Sequence, residues 1–226
     1  MAVKVQVIGV RRSRRGEQTR WPLEIGSMGA AAALWAGGEY VRLRRAPDPG
    51  LEREAQRALN RLDRAARAML LRSKAAGFAD RVSDALGYGA APLTCLLALW
   101  RVDGLGRWLA RDALRVLRAV AVTGALNQVI KFAAPRERPF AAGSSEALGK
   151  DRYGSFFSNH TSAMAAMASA TARLAARRDA SGWVIAPLFA LALFVGYLRV
   201  AADQHYLTDV LAGAAFGTGV GVVFTF

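Results

Sequence analysis

Long apolar runs, one of them carrying Arg115, Arg118 and Lys131, alternate with short basic clusters along this 226-residue chain. The apolar runs cover residues 25–38, 85–100, 113–133, 156–172, 182–198 and 210–226. The run 85–100 holds Pro92, 156–172 is rich in Ala, Ser and Met, and 182–198 and 210–226 carry no charge at all. A span needs about 20 mostly apolar residues, and these runs reach that length once their polar ends are included. Six such runs in one small chain predict an all-α integral membrane bundle of about six transmembrane helices. Small residues in 156–172 would let neighbouring helices approach closely.

Residues 51–76 follow a different rhythm. Leu51, Ala55, Leu59, Leu62, Ala66, Met69 and Leu70 recur mostly three and four apart, with arginines between them. This predicts an amphipathic helix between spans one and two, its basic face suited to a headgroup layer or its apolar face to the rest of the protein. Residues 1–20 form a polar tail with Arg11, Arg12, Arg14, Arg15 and Arg20. Basic then apolar is also the order of a cleaved signal peptide, but further runs follow, so the first run is read as a retained span. One domain is expected over residues 1–226, with a core at 113–226.

Topology brings the polar clusters together. Lys131 to Pro139 follows the third run, Ser158-Asn159-His160 opens the fourth, Arg199 closes the fifth, and His205 to Asp209 opens the sixth. Helices that alternate direction across a bilayer place these four ends on one membrane face. The only two histidines, His160 and His205, both lie there.

Composition then narrows the chemistry. Lys and Arg total 31 against 17 Asp and Glu, a formal charge of +14. The cations flank apolar runs and are not interleaved with aromatics, which argues against nucleic acid and for a bilayer with anionic headgroups. Cys95 is the single cysteine, so there is neither a disulfide framework nor a cysteine metal cluster. Three cations, Lys131, Arg138 and Arg199, are enough to hold a dianionic phosphate. Ser158 is placed as a helix N-cap, next to amides that make an anion site. His205 and Asp209 are four apart, so the carboxylate is expected to hold the imidazole in one tautomer as a nucleophile. His160 can then protonate the departing oxygen and later activate water. Taken singly, Lys131 and Arg199 also fit snorkelling anchors, Arg138 a loop charge and Asp209 a helix-terminus partner. Asp203, Glu137 and Asp151 have no evident partner.

The joint spacing resembles the type 2 phosphatidic acid phosphatase family. Its signature is Lys, six residues, Arg-Pro; then Pro-Ser-Gly-His; then Ser-Arg, five residues, His, three residues, Asp. Lys131 through Arg138-Pro139 matches the first part, and Arg199, His205 and Asp209 match the third at every spacing. Phe157-Ser158-Asn159-His160 keeps Ser and His but has Phe and Asn for Pro and Gly, and Leu198 replaces the serine before Arg199. The resemblance implies His205 as nucleophile, Asp209 as its orienting partner and His160 as general acid and base. It implies phosphate binding by Lys131, Arg138, Ser158 and Arg199, with the Asn159 amide contributing, and no cofactor or metal. Phe157 would offer an apolar wall to a lipid chain.

The expected activity is removal of phosphate from a lipid phosphate or diphosphate. Candidates are phosphatidic acid, phosphatidylglycerol phosphate, a polyprenyl phosphate or diphosphate, and a lipid-linked sugar phosphate. The alternatives are phosphoryl transfer to another lipid through the same intermediate, and lipid-phosphate binding or transport without turnover. A vanadate haloperoxidase shares a related signature, but the short span-rich chain speaks against it. Basic residues divide evenly between the two faces once Lys131, Arg138 and Arg199 are set aside. The basic tail places the N-terminus inside a bacterial plasma membrane and the site on the outer face. Oligomeric state is not legible.

Overall fold

The computed structural model describes residues 21–44, 60–142 and 152–225. Seven helices and no strands are found among these residues. They are α1 (Trp21–Arg44), α2 (Arg61–Leu70), α3 (Ser73–Asp103), α4 (Arg107–Ala133), α5 (Asn159–Ala176), α6 (Ala186–Ala201) and α7 (Leu207–Val223). Two of them, α3 and the Trp108–Ala133 part of α4, are long and apolar enough to cross a membrane, each with mean hydropathy 1.3. Helices α6 and α7 are shorter apolar helices.

Helix α5 is the centre of the bundle. Its Ala, Ser and Met side chains are buried on nearly every side, as expected of a helix without a polar face. It packs against α3, α4, α6 and α7, while α1 lies along α4. Cys95 and Leu99 of α3, Val116 of α4, Met164, Met167 and Leu174 of α5, and Leu188 and Val195 of α6 form the main apolar core. The tightest contact joins α5 to α7. A Cβ on Gly217 would stand 2.0 Å from the Ser162 carbonyl oxygen, and one on Gly221 would stand 2.4 Å from that of Ala166. Glycines four apart on α7 therefore let the two backbones touch.

Helix α3 is not uniform. A 3₁₀ turn (Ser73–Ala75) leads into an α segment (Ala76–Ala85), a π turn (Leu86–Ala90) and a second α segment (Ala91–Asp103). Pro92 accounts for the wide turn: it has no N–H for the carbonyl four residues back, and its ring would clash there. The expected apolar helix at 85–100 is thus the C-terminal half of a longer one that begins with charged residues.

The single amphipathic helix expected over 51–76 is corrected. Residues 51–59 lie outside those described, and the rest breaks at Leu71 and Arg72, where Arg72 N–H bonds the Ala201 carbonyl at the end of α6 (3.1 Å). The break is tertiary, since neither Gly nor Pro is present. Helix α2 packs on α6 and α7 and turns Asp63 and Ala66 inward, while Leu62 and Met69 face outward. Asn60 caps it, accepting from the Asp63 amide at 2.7 Å. Other boundaries shift by a few residues: the run at 156–172 becomes helical only from Asn159, that at 182–198 from Ala186, and that at 210–226 already at Leu207.

Asp63 anchors α2. Its carboxylate accepts from Thr208 N (2.9 Å), Thr208 Oγ1 (2.8 Å), Asn60 Nδ2 (2.9 Å) and Arg136 Nη2 (2.7 Å). Burial alone would raise its pKa, but the Thr208 and Arg136 bonds outweigh burial and hold it below the usual carboxylate range. A second pair ties the same helix: Arg67 binds both Asp203 oxygens, each at 2.7 Å.

Two consequences are measurable by unfolding of the purified protein in detergent. Gly217→Val forces α5 from α7 and is expected to cost about 3 kcal/mol; an unchanged midpoint would contradict the close approach. Asp63→Ala leaves Arg136 facing an emptied site and is expected to cost about 3 kcal/mol at neutral pH. Because Asp63 is depressed in the fold, its contribution is complete above the unfolded value near 3.9 and fades as pH falls through the lower folded value. The wild-type advantage over Asp63→Ala should therefore shrink in strong acid.

Candidate active site

Helix α4 ends at Ala133, with Lys131 buried in its last turn. The chain then runs beside residues 152–155, joined to them by an isolated parallel bridge between Arg136 and Gly154. Arg136 N–H bonds the Tyr153 carbonyl (3.2 Å), Ser155 N–H the Arg136 carbonyl (3.0 Å), and Arg138 N–H the Arg152 carbonyl (2.7 Å). Pro139 opens a 3₁₀ turn, and the Phe140 amide donates to the Asp203 carbonyl at 3.1 Å. This short ladder delivers Arg138 to the segment between α6 and α7. Its Nη1 donates to the Gln204 carbonyl (3.0 Å) and Oε1 (3.2 Å), and stands 3.2 Å from His205 Nε2.

His205 is buried in the turn before α7. Its Nδ1 lies 2.8 Å from the Ser155 carbonyl oxygen. A carbonyl only accepts, so the proton sits on Nδ1 and the Nε2 lone pair faces Arg138. Burial first, then Arg138, Arg199 and Lys131, push the imidazole well below its ordinary pKa, against the opposing Ser155 bond. The ring is therefore neutral.

The expected direct pairing of His205 with Asp209 is corrected. Helix α7 begins at Leu207, so the four-residue spacing crosses a helix start, and Asp209 Oδ2 is 4.0 Å from Nδ1. Asp209 instead accepts from Ser155 Oγ (2.6 Å), from the Tyr206 amide (2.9 Å) as part of a capping box, and from Arg136. Ser155 therefore touches both residues, its hydroxyl donating to Asp209 and its carbonyl accepting from His205. Arg136 also stacks on the Tyr206 ring, 4.3 Å from its centroid.

Ser158 is the N-cap of α5, its Oγ accepting from the Thr161 amide at 3.4 Å, and its own amide donates to the Asp209 carbonyl at 3.2 Å. The first intrahelical bond runs from Ser162 to Ser158, so the Asn159 and His160 amides open the helix. His160 Nε2 is 2.8 Å from Asp84 Oδ1. Phe157 is buried against Phe216, with ring centroids 4.8 Å apart, and not open to a lipid chain as expected. Arg199 closes α6, buried, with Nη1 2.6 Å from Asp80 Oδ1 and 2.9 Å from Ser83 Oγ. Arg138 stands beside His205, and Arg199 shares Asp84 with His160, so polar residues from separate parts of the chain meet here.

Several partners are absent from the sequence reading. Asp203 pairs with Arg67, and Glu137 with Arg152 (2.7 Å); Asp151 lies outside the described residues. Asp80 and Asp84 carried a signal: carboxylates four apart, directly before an apolar run, share one helix face. Ser155 carried none, because it acts chiefly through its backbone. Among the described residues no three His, Cys, Asp or Glu side chains converge as metal ligands.

The fold has counterparts. Residues 112–225 match the family model of the PAP2 superfamily. The crystal structure of LpxE from Aquifex aeolicus superposes with a TM-score of 0.51 at 20% identity, covering 72% of this chain and 92% of that one. A transmembrane PAP2-type phosphatidylglycerolphosphate phosphatase from Bacillus subtilis superposes with a TM-score of 0.52 at 19% identity, covering 89% and 93%. No curated protein sequence matches the chain. The matched segment holds Lys131, Arg138, Ser158, His160, Arg199, His205 and Asp209 in one continuous stretch, and with that match the chain belongs to the PAP2 superfamily.

Proposed function

We propose that this chain removes phosphate from a lipid phosphate or diphosphate through a covalent phosphohistidine on His205. The observation that carries the reading is the His205 ring: Nδ1–H held by the Ser155 carbonyl, with the Nε2 lone pair turned toward Arg138. A neutral, fixed imidazole beside cations is a nucleophile placed where a phosphate would be drawn. In the first half-reaction a P–N bond forms at Nε2 as the bond from phosphorus to the lipid oxygen breaks, and His160 gives that oxygen its proton. In the second, water adds to phosphorus, His160 takes a proton from it, and the P–N bond breaks. Lys131, Arg138, Arg199 and the amides at the start of α5 hold the phosphoryl oxygens through both steps.

The substrate class follows from the setting. Lys131 ends one apolar helix and Ser158 opens another, which supports a site at the level of lipid headgroups. Phosphatidic acid, phosphatidylglycerol phosphate and polyprenyl phosphates or diphosphates all present phosphate there. Residues 1–20, with their arginines, favour an N-terminus inside and a site on the outer face of a bacterial plasma membrane.

Purified protein in detergent with EDTA, offered glycerophospholipid and polyprenyl phosphates and diphosphates, should release phosphate. His205→Ala should lower turnover by at least about 10³-fold. Folded protein that binds these lipids but releases nothing would end the phosphatase reading in favour of binding or transfer. For orientation, cysteines introduced singly between residues 141 and 155 should react in intact cells with a membrane-impermeant thiol reagent. Native Cys95 is buried and contributes little background. Labelling only after cell rupture would reverse the assignment.

A further inference from the structure

Helix α3 stands outside the matched segment, yet one of its faces lines the site. Asp80, Ser83, Asp84, Gly87 and Tyr88 all turn toward His160 or Arg199. Two carboxylates meet two bases, and the distances divide them. Arg199 Nη1 is 2.6 Å from Asp80 but 3.6 Å from Asp84. Asp80, with Ser83, therefore takes the arginine, and Asp84 is left for His160 Nε2 at 2.8 Å.

The ring lies close against the π turn: a Cβ on Gly87 would stand 3.3 Å from His160 Cδ2, a tight contact that would press on the imidazole. Tyr88 meets the same ring edge-on, with centroids 5.2 Å apart. The two partners also differ in exposure: the Asp84 side chain is 48% exposed and that of His160 is 13%. A carboxylate so placed connects a nearly buried imidazole to water.

We infer that Asp84 is a positioning residue for His160, acting as its orienting carboxylate during proton exchange with the lipid oxygen and with water. The inference rests on the phosphatase reading above, with His160 as general acid and base. Asp84 stands against Nε2 as an ion-pair partner at 2.8 Å, and on this inference the Nε2 proton lies on that side and the exchanged proton is the one on Nδ1. Once the anionic phosphate is bound among the cations, the ring is cationic; in the first half-reaction it passes that proton to the leaving oxygen and becomes neutral. In the second it takes a proton from water and is restored. Asp84 remains a carboxylate throughout and supplies a counter-charge whenever the ring is cationic. The other charged or titratable groups acting on this pair are Asp80 and Tyr88 on α3, Lys131 on α4, Arg138 in the following loop and Arg199 on α6.

The test compares wild type, Asp84→Asn, Asp84→Glu and Asp80→Asn as full chains in detergent, with phosphatidic acid and with whichever lipid the wild type prefers. Turnover and KM are followed from pH 5 to 9. Asp84→Asn should lower kcat between about 10- and 100-fold, with KM changed by no more than about twofold. The alkaline limb of its pH profile should move to lower pH by about one unit. Asp84→Glu should recover most of kcat and the limb position, whereas Asp80→Asn should act mainly on KM. A wild-type profile in Asp84→Asn overturns the inference, and so does a loss of kcat with the limb unmoved and no recovery in Asp84→Glu. If the wild type and His205→Ala behave as expected while Asp84→Asn is unaltered, only this inference fails. If the wild type releases no phosphate from any lipid, it fails together with the phosphatase reading.

Discussion

The buried carboxylate of Asp209 holds the reactive region together. It gathers Arg136 from the loop after α4, the Ser155 hydroxyl from the strand-like segment before α5, and the Tyr206 amide at the head of its own helix. Its backbone carbonyl receives the Ser158 amide, which fixes the start of α5. Three separate chain segments are thus tied to one residue, and the Ser155 that Asp209 binds is the one whose carbonyl meets His205. A buried carboxylate is tolerable only when its lone pairs are met this fully.

Electrostatic balance extends the same logic outward. Lys131, Arg138 and Arg199 are all buried around the two histidines. Three buried cations would repel one another strongly if nothing opposed them. Asp80 and Asp84 oppose them from α3, and Asp63 opposes Arg136 from α2. The fold therefore brings acidic groups from its N-terminal half to a basic site built by its C-terminal half. The opposite end of the bundle repeats the device, where Arg178 binds Asp103 at 2.7 Å and also Asp112.

Much of this was legible in the sequence, and the reasons are specific. Uncharged runs fixed where helices lie, because a span must be apolar over its length. The alternation of helix direction then brought Lys131, His160, Arg199 and His205 to one end. Helix boundaries were less legible: Phe157 looks like the start of an apolar helix, yet the helix begins only after the Ser158 cap. The break at Leu71 was invisible because its cause is a bond to Ala201, remote in sequence. Asp209 shows the limit of spacing arguments. Four residues apart means one face only within a helix, and His205 stands outside it. Ser155 acts on His205 through a carbonyl that every residue possesses, so no side-chain pattern could have marked it.

The π turn in α3 has one more consequence. A wide turn inserts one residue into the helical repeat, which changes the rotational phase of everything beyond it by about 100°. Before the turn, Asp80 and Asp84 face the polar site; after it, Cys95 and Leu99 face the apolar core. The single helix thus behaves as two coaxial pieces set at different angles. Its polar half and its apolar half each meet their own surroundings, and substitutions in one leave the facing of the other unchanged. Loss of a single residue from Leu86–Ala90 would close the wide turn into a regular α repeat and leave both pieces facing as they do, whereas gain or loss of a residue elsewhere in the helix would turn one piece against the other by about 100°.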